Sequence, residues 1–176
     1  MKRKLPLTPE EFKAIYTKVP RITVDLIIKT SSGVLLTYRV KNGFENLWHL
    51  PGGTIYLNEK AENTVHRIAK EELGIKVKIV KFIGYQEYLS ETRERGFGYS
   101  ISLLFICKPL TQNYKLDDQV EKFDFFKTPP ENTVEEQINN MNKDQNAKAP
   151  VETIKFEMND DEINLDAEKL GEILDA

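Results

Sequence analysis

The sequence predicts an α/β protein, a sandwich built around a mixed β-sheet. Two observations predict it. Apolar runs of strand length ("RITVDLIIK", "GVLLTYRV", "YSISLLFICK", "VEKFDFFK") share the chain with segments of helical spacing. Their order shows no regular βαβ alternation, so the sheet is expected to mix parallel and antiparallel pairs. Hydrophobic residues make up 40% of the 176, enough for a packed core in one domain with an appendage.

The elements follow in order. "LTPEEF" opens a helix: Thr8 caps it, Pro9 takes the first helical position and Glu11 completes a capping box. Phe12, Ile15, Tyr16 and Val19 form its apolar stripe, and Pro20 ends it. "RITVDLIIK" and "GVLLTYRV", joined by "TSSG", read as a β-hairpin. "KNGFEN" is a loop, and "LWHL" is a short strand running into Pro51-Gly52-Gly53. Asn58 to Leu73 has helical character, with Gly74 as its stop. "KVKIVKFIGYQEYL" is a long strand, "ETRERGFG" a charged loop, and "ENTVEEQINNM" a helix. After the polar linker "NKDQNAKAP", "VETIKFEM" reads as a strand and "NLDAEKLGEIL" as a terminal helix capped by Asp166. The expected division is an N-terminal helix (1–20) packed on the domain, a main domain (21–142), and a linker with a C-terminal strand and helix (143–176).

Charge excludes some functions. With 30% charged residues and a net charge of −3, the chain lacks the basic excess of a general nucleic-acid or membrane-surface binder. Cys107, the single cysteine, excludes an internal disulfide and a cysteine metal cluster. No leader-type apolar segment follows "MKRKLPLTPEEF", so a soluble cytoplasmic protein is expected.

The informative stretch is "LPGGTIYLNEKAENTVHRIAKEELGI", Leu50 to Ile75. Residues three and four apart share a helix face, so Ile68, Glu71 and Glu72 are expected on one side. Adjacent carboxylates repel unless a positive group lies beside them, and a hard divalent cation suits oxygen ligands. Gly52-Gly53 supplies a backbone able to approach closely and offer a bare carbonyl. Glu59 and Arg67 lie about two helical turns apart and are expected to clamp the loop by an ion pair. Taken alone, "KEEL" reads as a solvated helix face. The spacing of Gly53, Glu59, Arg67, Glu71-Glu72, Gly74 and Ile75 together argues for a site.

This pattern resembles the Nudix box, G-x5-E-x7-R-E-U-x-E-E-x-G-U, and the resemblance extends over about Ile22 to Phe126. It implies a Nudix-type α/β/α sandwich and a hydrolase of nucleoside diphosphates linked to another moiety, dependent on Mg²⁺ or Mn²⁺. It implies Glu71 and Glu72 as metal ligands and catalytic groups, the Gly52 carbonyl as a further ligand, and Glu59–Arg67 as a structural pair. Ile68 departs from the box, where a glutamate is usual, and Ala69 is a small version of the next aliphatic. Losing that carboxylate predicts one or two metals rather than three.

An aliphatic residue at the place of Ile68 resembles the GDP-mannose mannosyl hydrolase-like branch, which "EEFKAIYTKVPRITVDLII" also resembles. That likeness implies that Asp25 contacts the nucleotide or sugar, that Arg39 holds the diphosphate with help from Arg67, and that Gln119 is a metal ligand. It also implies a homodimer packed through the N-terminal helix. Val120 stands where the branch carries a histidine base, and Thr54 where it carries an arginine. Attack on phosphorus is therefore expected over attack on the sugar carbon. His49 and His66 are expected to be packing or surface residues.

Glu71, Glu87 and Glu91 are the candidate proton acceptors, the latter two beside a loop bearing Arg93 and Arg95. That loop either closes over a ligand or is a solvated tip. Among Tyr38, Phe44, Trp48 and Tyr88, Phe44 is the preferred base-stacking residue. The expected partner is a small-molecule nucleotide such as a nucleotide sugar. The other reading is a module that binds nucleotide sugars or a partner without turnover, suggested by Ile68 and Val120.

Overall fold

The structure, a computed structural model, describes residues 6–40, 44–117 and 120–141. Gln119 and the expected C-terminal strand and helix lie outside the described residues. The elements are α1 (Pro9–Tyr16), β1 (Arg21–Thr30), β2 (Gly33–Arg39), β3 (Trp48–His49), β4 (Gly52–Thr54), α2 (Ala61–Leu73), β5 (Val77–Tyr88), α3 (Glu91–Arg95), β6 (Ser100–Pro109), β7 (Val120–Phe126) and α4 (Ile138–Met141). A 3₁₀ turn, Glu135–Gln137, leads into α4.

The sheet runs β3-β2-β1-β6-β5, with β4 also paired to β1 and β7 to β2. β1 and β6 are parallel from Arg21↔Ser100 to Ile28↔Cys107. The other pairs are antiparallel, so the sheet is mixed, as expected. Along the edge away from β6, β1 meets β4 at Thr23, Val24 and Asp25, then β2 at Lys29 and Thr30.

β1 is buried on both faces from Thr23 to Ile28, as a central strand must be. Alternation sends Val24, Leu26 and Ile28 into one core with Val65, Ile68 and Leu73 of α2. Ile27 joins the second core, with Leu36, Leu50, Leu104 and Met141. Cys107 is fully buried, and burial pushes its thiol up to about 12, so it is inert packing.

Three local expectations change. The glutamate helix begins at Ala61, because Asn58 adopts a left-handed φ of 62° that no helix continues. The charged loop holds a short helix, α3, stopped by Gly96. In α1 the capping box forms, but no residue is buried, and Ile15 and Val19 stay 41% and 50% exposed. Phe12, edge-on to Phe97 and to Tyr16 of the same helix, anchors α1, with Lys13 Nζ over the Phe97 ring.

Gly74 ends α2 at φ 67°, and a Cβ there would lie 2.9 Å from Lys115 Cβ. Gly74→Ala is expected to cost about 1–2 kcal/mol, from the left-handed backbone and that contact, measured by urea denaturation.

Candidate active site

The site begins with a close approach. Gly52 of β4 lies opposite Asp25 of β1. A Cβ on Gly52 would collide with Asp25 Oδ1 and stand 2.7 Å from the Val24 carbonyl, so only glycine fits. Gly53 pairs with Val24 next to it.

α2 is tied to this strand by one guanidinium. Arg67 Nε and Nη2 donate to Glu59 Oε1 and Oε2 at 2.7 and 2.8 Å, a bidentate pair. Nη2 also donates to the Thr54 carbonyl at 2.8 Å, and Nη1 to Glu71 Oε2 at 3.1 Å. The Tyr56 ring lies 3.9 Å from the guanidinium carbon. These bonds hold Glu59 well below the ordinary carboxylate range, at about 2, with Arg67 the leading cause. Arg67 is thus positioned by loop, strand and helix together.

The helix face differs from the expected one. Ile68 is fully buried in the apolar core, and Glu72, one turn on, is 4% exposed. Glu71 is 30% exposed and lies on the flank with Arg67. The two carboxylates therefore diverge, because adjacent helical residues differ by about 100°. The core takes the place that a glutamate at 68 would occupy.

The donor set fits a hard cation. Glu71 and Glu72 supply oxygens only, and β4 is bonded to the same helix through the Thr54 carbonyl and Arg67. Among the described residues no group of three or more His, Cys, Asp or Glu gathers at a metal-binding spacing. Two carboxylates with main-chain oxygens suit few ions.

A polar cleft opens beside the glycines. Its floor is the other face of β1: Arg21, Thr23 and Asp25. Asp25 accepts a short hydrogen bond from the Tyr88 hydroxyl, which itself accepts from Gln137 Nε2 at 2.8 Å. Gln137 Oε1 accepts from the Leu50 amide at 2.7 Å, tying the 3₁₀ turn to the strand before the glycines. Burial raises Asp25 to about 6 against these bonds. Phe44, at φ 54°, reaches the cleft wall edge-on to Tyr88, whereas Trp48 packs between Tyr38 and Phe126.

Arg39 enters the cleft from the end of β2. Its Nε donates to His49 Nε2 at 3.2 Å, while His49 Nδ1 donates to the Leu50 carbonyl at 2.8 Å. Burial, then the Arg39 charge, drops His49 to about 3, so it is a neutral brace. Burial lowers Arg39 too, opposed by the charges of Glu72, Asp117 and Asp25. His66 is exposed on α2. Val120 is buried and paired with Arg39.

Of the loop residues, Glu91 and Arg95 turn inward and line the cleft. Arg93 is 67% exposed, and Glu87 faces out, accepting from the Tyr99 hydroxyl. Glu91 pairs with Arg21 Nη2 at 2.6 Å and Arg95 Nε at 3.1 Å, and accepts from Ser100 Oγ. Sequence reasoning missed Arg21, Ser100 and Gln137. A signal existed for the first two: polar residues at every second position in apolar strands, R-x-T-x-D and S-x-S, mark one wet face. Gln137 has no such signal. A larger groove, lined by Lys29, Lys108, Phe126 and Met141, contains none of these residues.

Comparison with known proteins agrees with this architecture. Residues 19–147 match the NUDIX domain. The low-salt glycan biosynthesis protein Agl8 of Haloferax volcanii is 32% identical over 125 residues, covering 69% of this chain and 80% of the relative. An ADP-ribose pyrophosphatase of Methanocaldococcus jannaschii is 34% identical over 107 residues, 61% of this chain and 62% of that protein. In fold, a MutT Nudix hydrolase from Burkholderia pseudomallei superposes with a TM-score of 0.60 at 21% identity, over 69% of this chain and 95% of that one. Fold and site together define a class, hydrolases of nucleoside diphosphate derivatives that generally use divalent metal ions. The chain belongs to the Nudix hydrolase family.

Asp25 yields a pH test. Its folded value of about 6 lies above the ordinary 3.8, so ionisation costs stability. The cost is absent below about pH 4 and full above about pH 6. Asp25→Asn is expected to stabilise the protein by about 1–3 kcal/mol at pH 8 and not at pH 4, read by urea denaturation.

Proposed function

We propose that the protein hydrolyses a nucleotide sugar, with water attacking phosphorus. The observation that carries this reading is Arg39 lining one cleft with the Gly52-Gly53 backbone, with Glu72 near enough for its charge to act on Arg39. Arg39 supplies the guanidinium for diphosphate oxygens. Glu72, Glu71 and the Gly52 carbonyl would hold Mg²⁺ or Mn²⁺. When bound, such an ion neutralises diphosphate charge and acidifies water.

Attack on phosphorus is supported by the groups at hand. Val120 cannot accept a proton, and His49 is neutral with both ring nitrogens engaged. Glu91 is committed to two arginines and Glu87 to Tyr99. Glu71, half-exposed and oriented by Arg67, is the carboxylate left to take the proton from water. Arg67 acts as a positioning residue, through Glu59, Thr54 and Glu71. Asp25 and Tyr88 offer polar contacts to the sugar, and Phe44 a face for the base.

The exposed Ile15, Val19 and Ile22 support the homodimer reading. Among the described residues no helix is long and apolar enough to cross a membrane.

Hydrolysis of GDP-mannose and UDP-glucose in ¹⁸O water with Mg²⁺ tests the chemistry. Label in the phosphate product is expected; label in the free sugar overturns attack on phosphorus. Glu72→Gln is expected to lower kcat about a thousandfold or more with an unchanged circular dichroism spectrum. Unchanged turnover would remove Glu72 from the site.

A further inference from the structure

We propose that the outer end of the cleft is a second anion subsite, in which Arg95, held by Glu91 beside Arg21, receives an anionic oxygen group carried by the moiety linked to the diphosphate. The proposal rests on the nucleotide-sugar reading and narrows its substrate class to sugars bearing a carboxylate or a phosphate.

The argument begins with charge. Arg21, Arg39 and Arg95 line one cleft; the Arg21 charge lowers the proton affinity of Arg39 and Arg95, and the Arg39 charge lowers that of Arg95. Glu91, 2% exposed, is shared by Arg21 and Arg95, and one carboxylate cannot neutralise two guanidiniums. Arg21 is well provided for: it donates to Glu91, Ser100 and the Thr54 hydroxyl. Arg95 is not. Its side chain is only 15% exposed, and its buried Nε, though 3.1 Å from Glu91 Oε1, lies outside hydrogen-bonding geometry with that oxygen and with any other acceptor among the described residues. Its contacts are the ion pair with Glu91 and the Phe12 ring at 5.7 Å. Burial, first of all, and then Arg21 bring its guanidinium down to about 10. A half-satisfied buried cation is costly, and an incoming anion relieves that cost.

Position separates this pole from the diphosphate. Arg21 lies four residues along β1 from Asp25, which faces Gly52. At strand rise that is about 13 Å, so a diphosphate resting on the glycines leaves the Arg95 end to the linked moiety. A guanidinium's planar fork matches carboxylate and phosphate oxygens, not a neutral hydroxyl face.

Paired substrates sharing one nucleotide test this. In the carboxylate arm, UDP-glucuronate is compared with UDP-glucose, and GDP-mannuronate with GDP-mannose. In the phosphate arm, UDP-glucose carrying a phosphate on its glucose 6-hydroxyl is compared with UDP-glucose. The wild type is expected to prefer the anionic member by at least about tenfold in kcat/KM in one arm, which identifies the group. Arg95→Ala is expected to abolish that preference, and Arg95→Lys to keep part of it. Equal use of both members by the wild type overturns the proposal. So does an Arg95→Ala loss equal for charged and neutral partners, which is the mark of a purely structural arginine. If nothing is turned over, the hydrolase reading fails, and calorimetric binding of the same pairs decides the subsite. Equal affinities for UDP-glucose and for both of its anionic counterparts, the glucuronate and the 6-phosphate, then overturn it.

Discussion

The site depends on the guanidinium of Arg67. It reaches four partners on three separate pieces of chain: Glu59 in the loop, the Thr54 carbonyl on β4, and Glu71 and the Tyr56 ring on either side of them. No lysine could reproduce this, because a compact ammonium lacks the planar fork that meets both Glu59 oxygens at once. The result is a fixed relation between the glutamate helix and the glycine strand, and any oxygen cage they form inherits its dimensions from that relation. The pair is partly buried, with side chains 17% and 16% exposed, so solvent screens it less than a surface ion pair.

β1 carries the other half of the design. One face, through Val24, Leu26 and Ile28, completes the core under α2. The opposite face is divided along its length: Arg21, Thr23 and Asp25 floor the cleft, and Ile27 returns to apolar packing. The polar end is costly to bury, and the surrounding network offsets that cost. Tyr88, Gln137 and the Leu50 amide form a chain of bonds from Asp25 to the start of β4. The strand that organises the fold thus also aims the cleft's charged groups.

Ile68 shows how core and chemistry compete for one position. It stands in the box where a glutamate is usual, and it is fully buried among Leu26, Val65 and Leu73. A carboxylate there would be stranded in hydrocarbon. Of the two carboxylates that remain, Glu72 shares the buried face and Glu71 leaves it for the arginine flank.

Much was legible in the sequence because it depends on neighbours along the chain. The capping box at Thr8, the left-handed stop at Gly74, the hairpin at "TSSG" and the Glu59–Arg67 ion pair follow from local spacing. The box spacing alone also identified the family. What only tertiary structure decided is which side of each element meets which other. Helical spacing put Ile68, Glu71 and Glu72 on one face, but the fold buries Ile68 and Glu72 and leaves Glu71 on the Arg67 flank. Nothing near Arg21 in sequence announces Glu91, seventy residues away, and nothing near Leu50 announces Gln137, eighty-seven away. Those contacts exist because β6 docks parallel to β1 and the 3₁₀ turn folds back across the cleft. Local propensity sets the elements; the packing of distant ones sets which polar groups are buried together, and hence the electrostatics of the site.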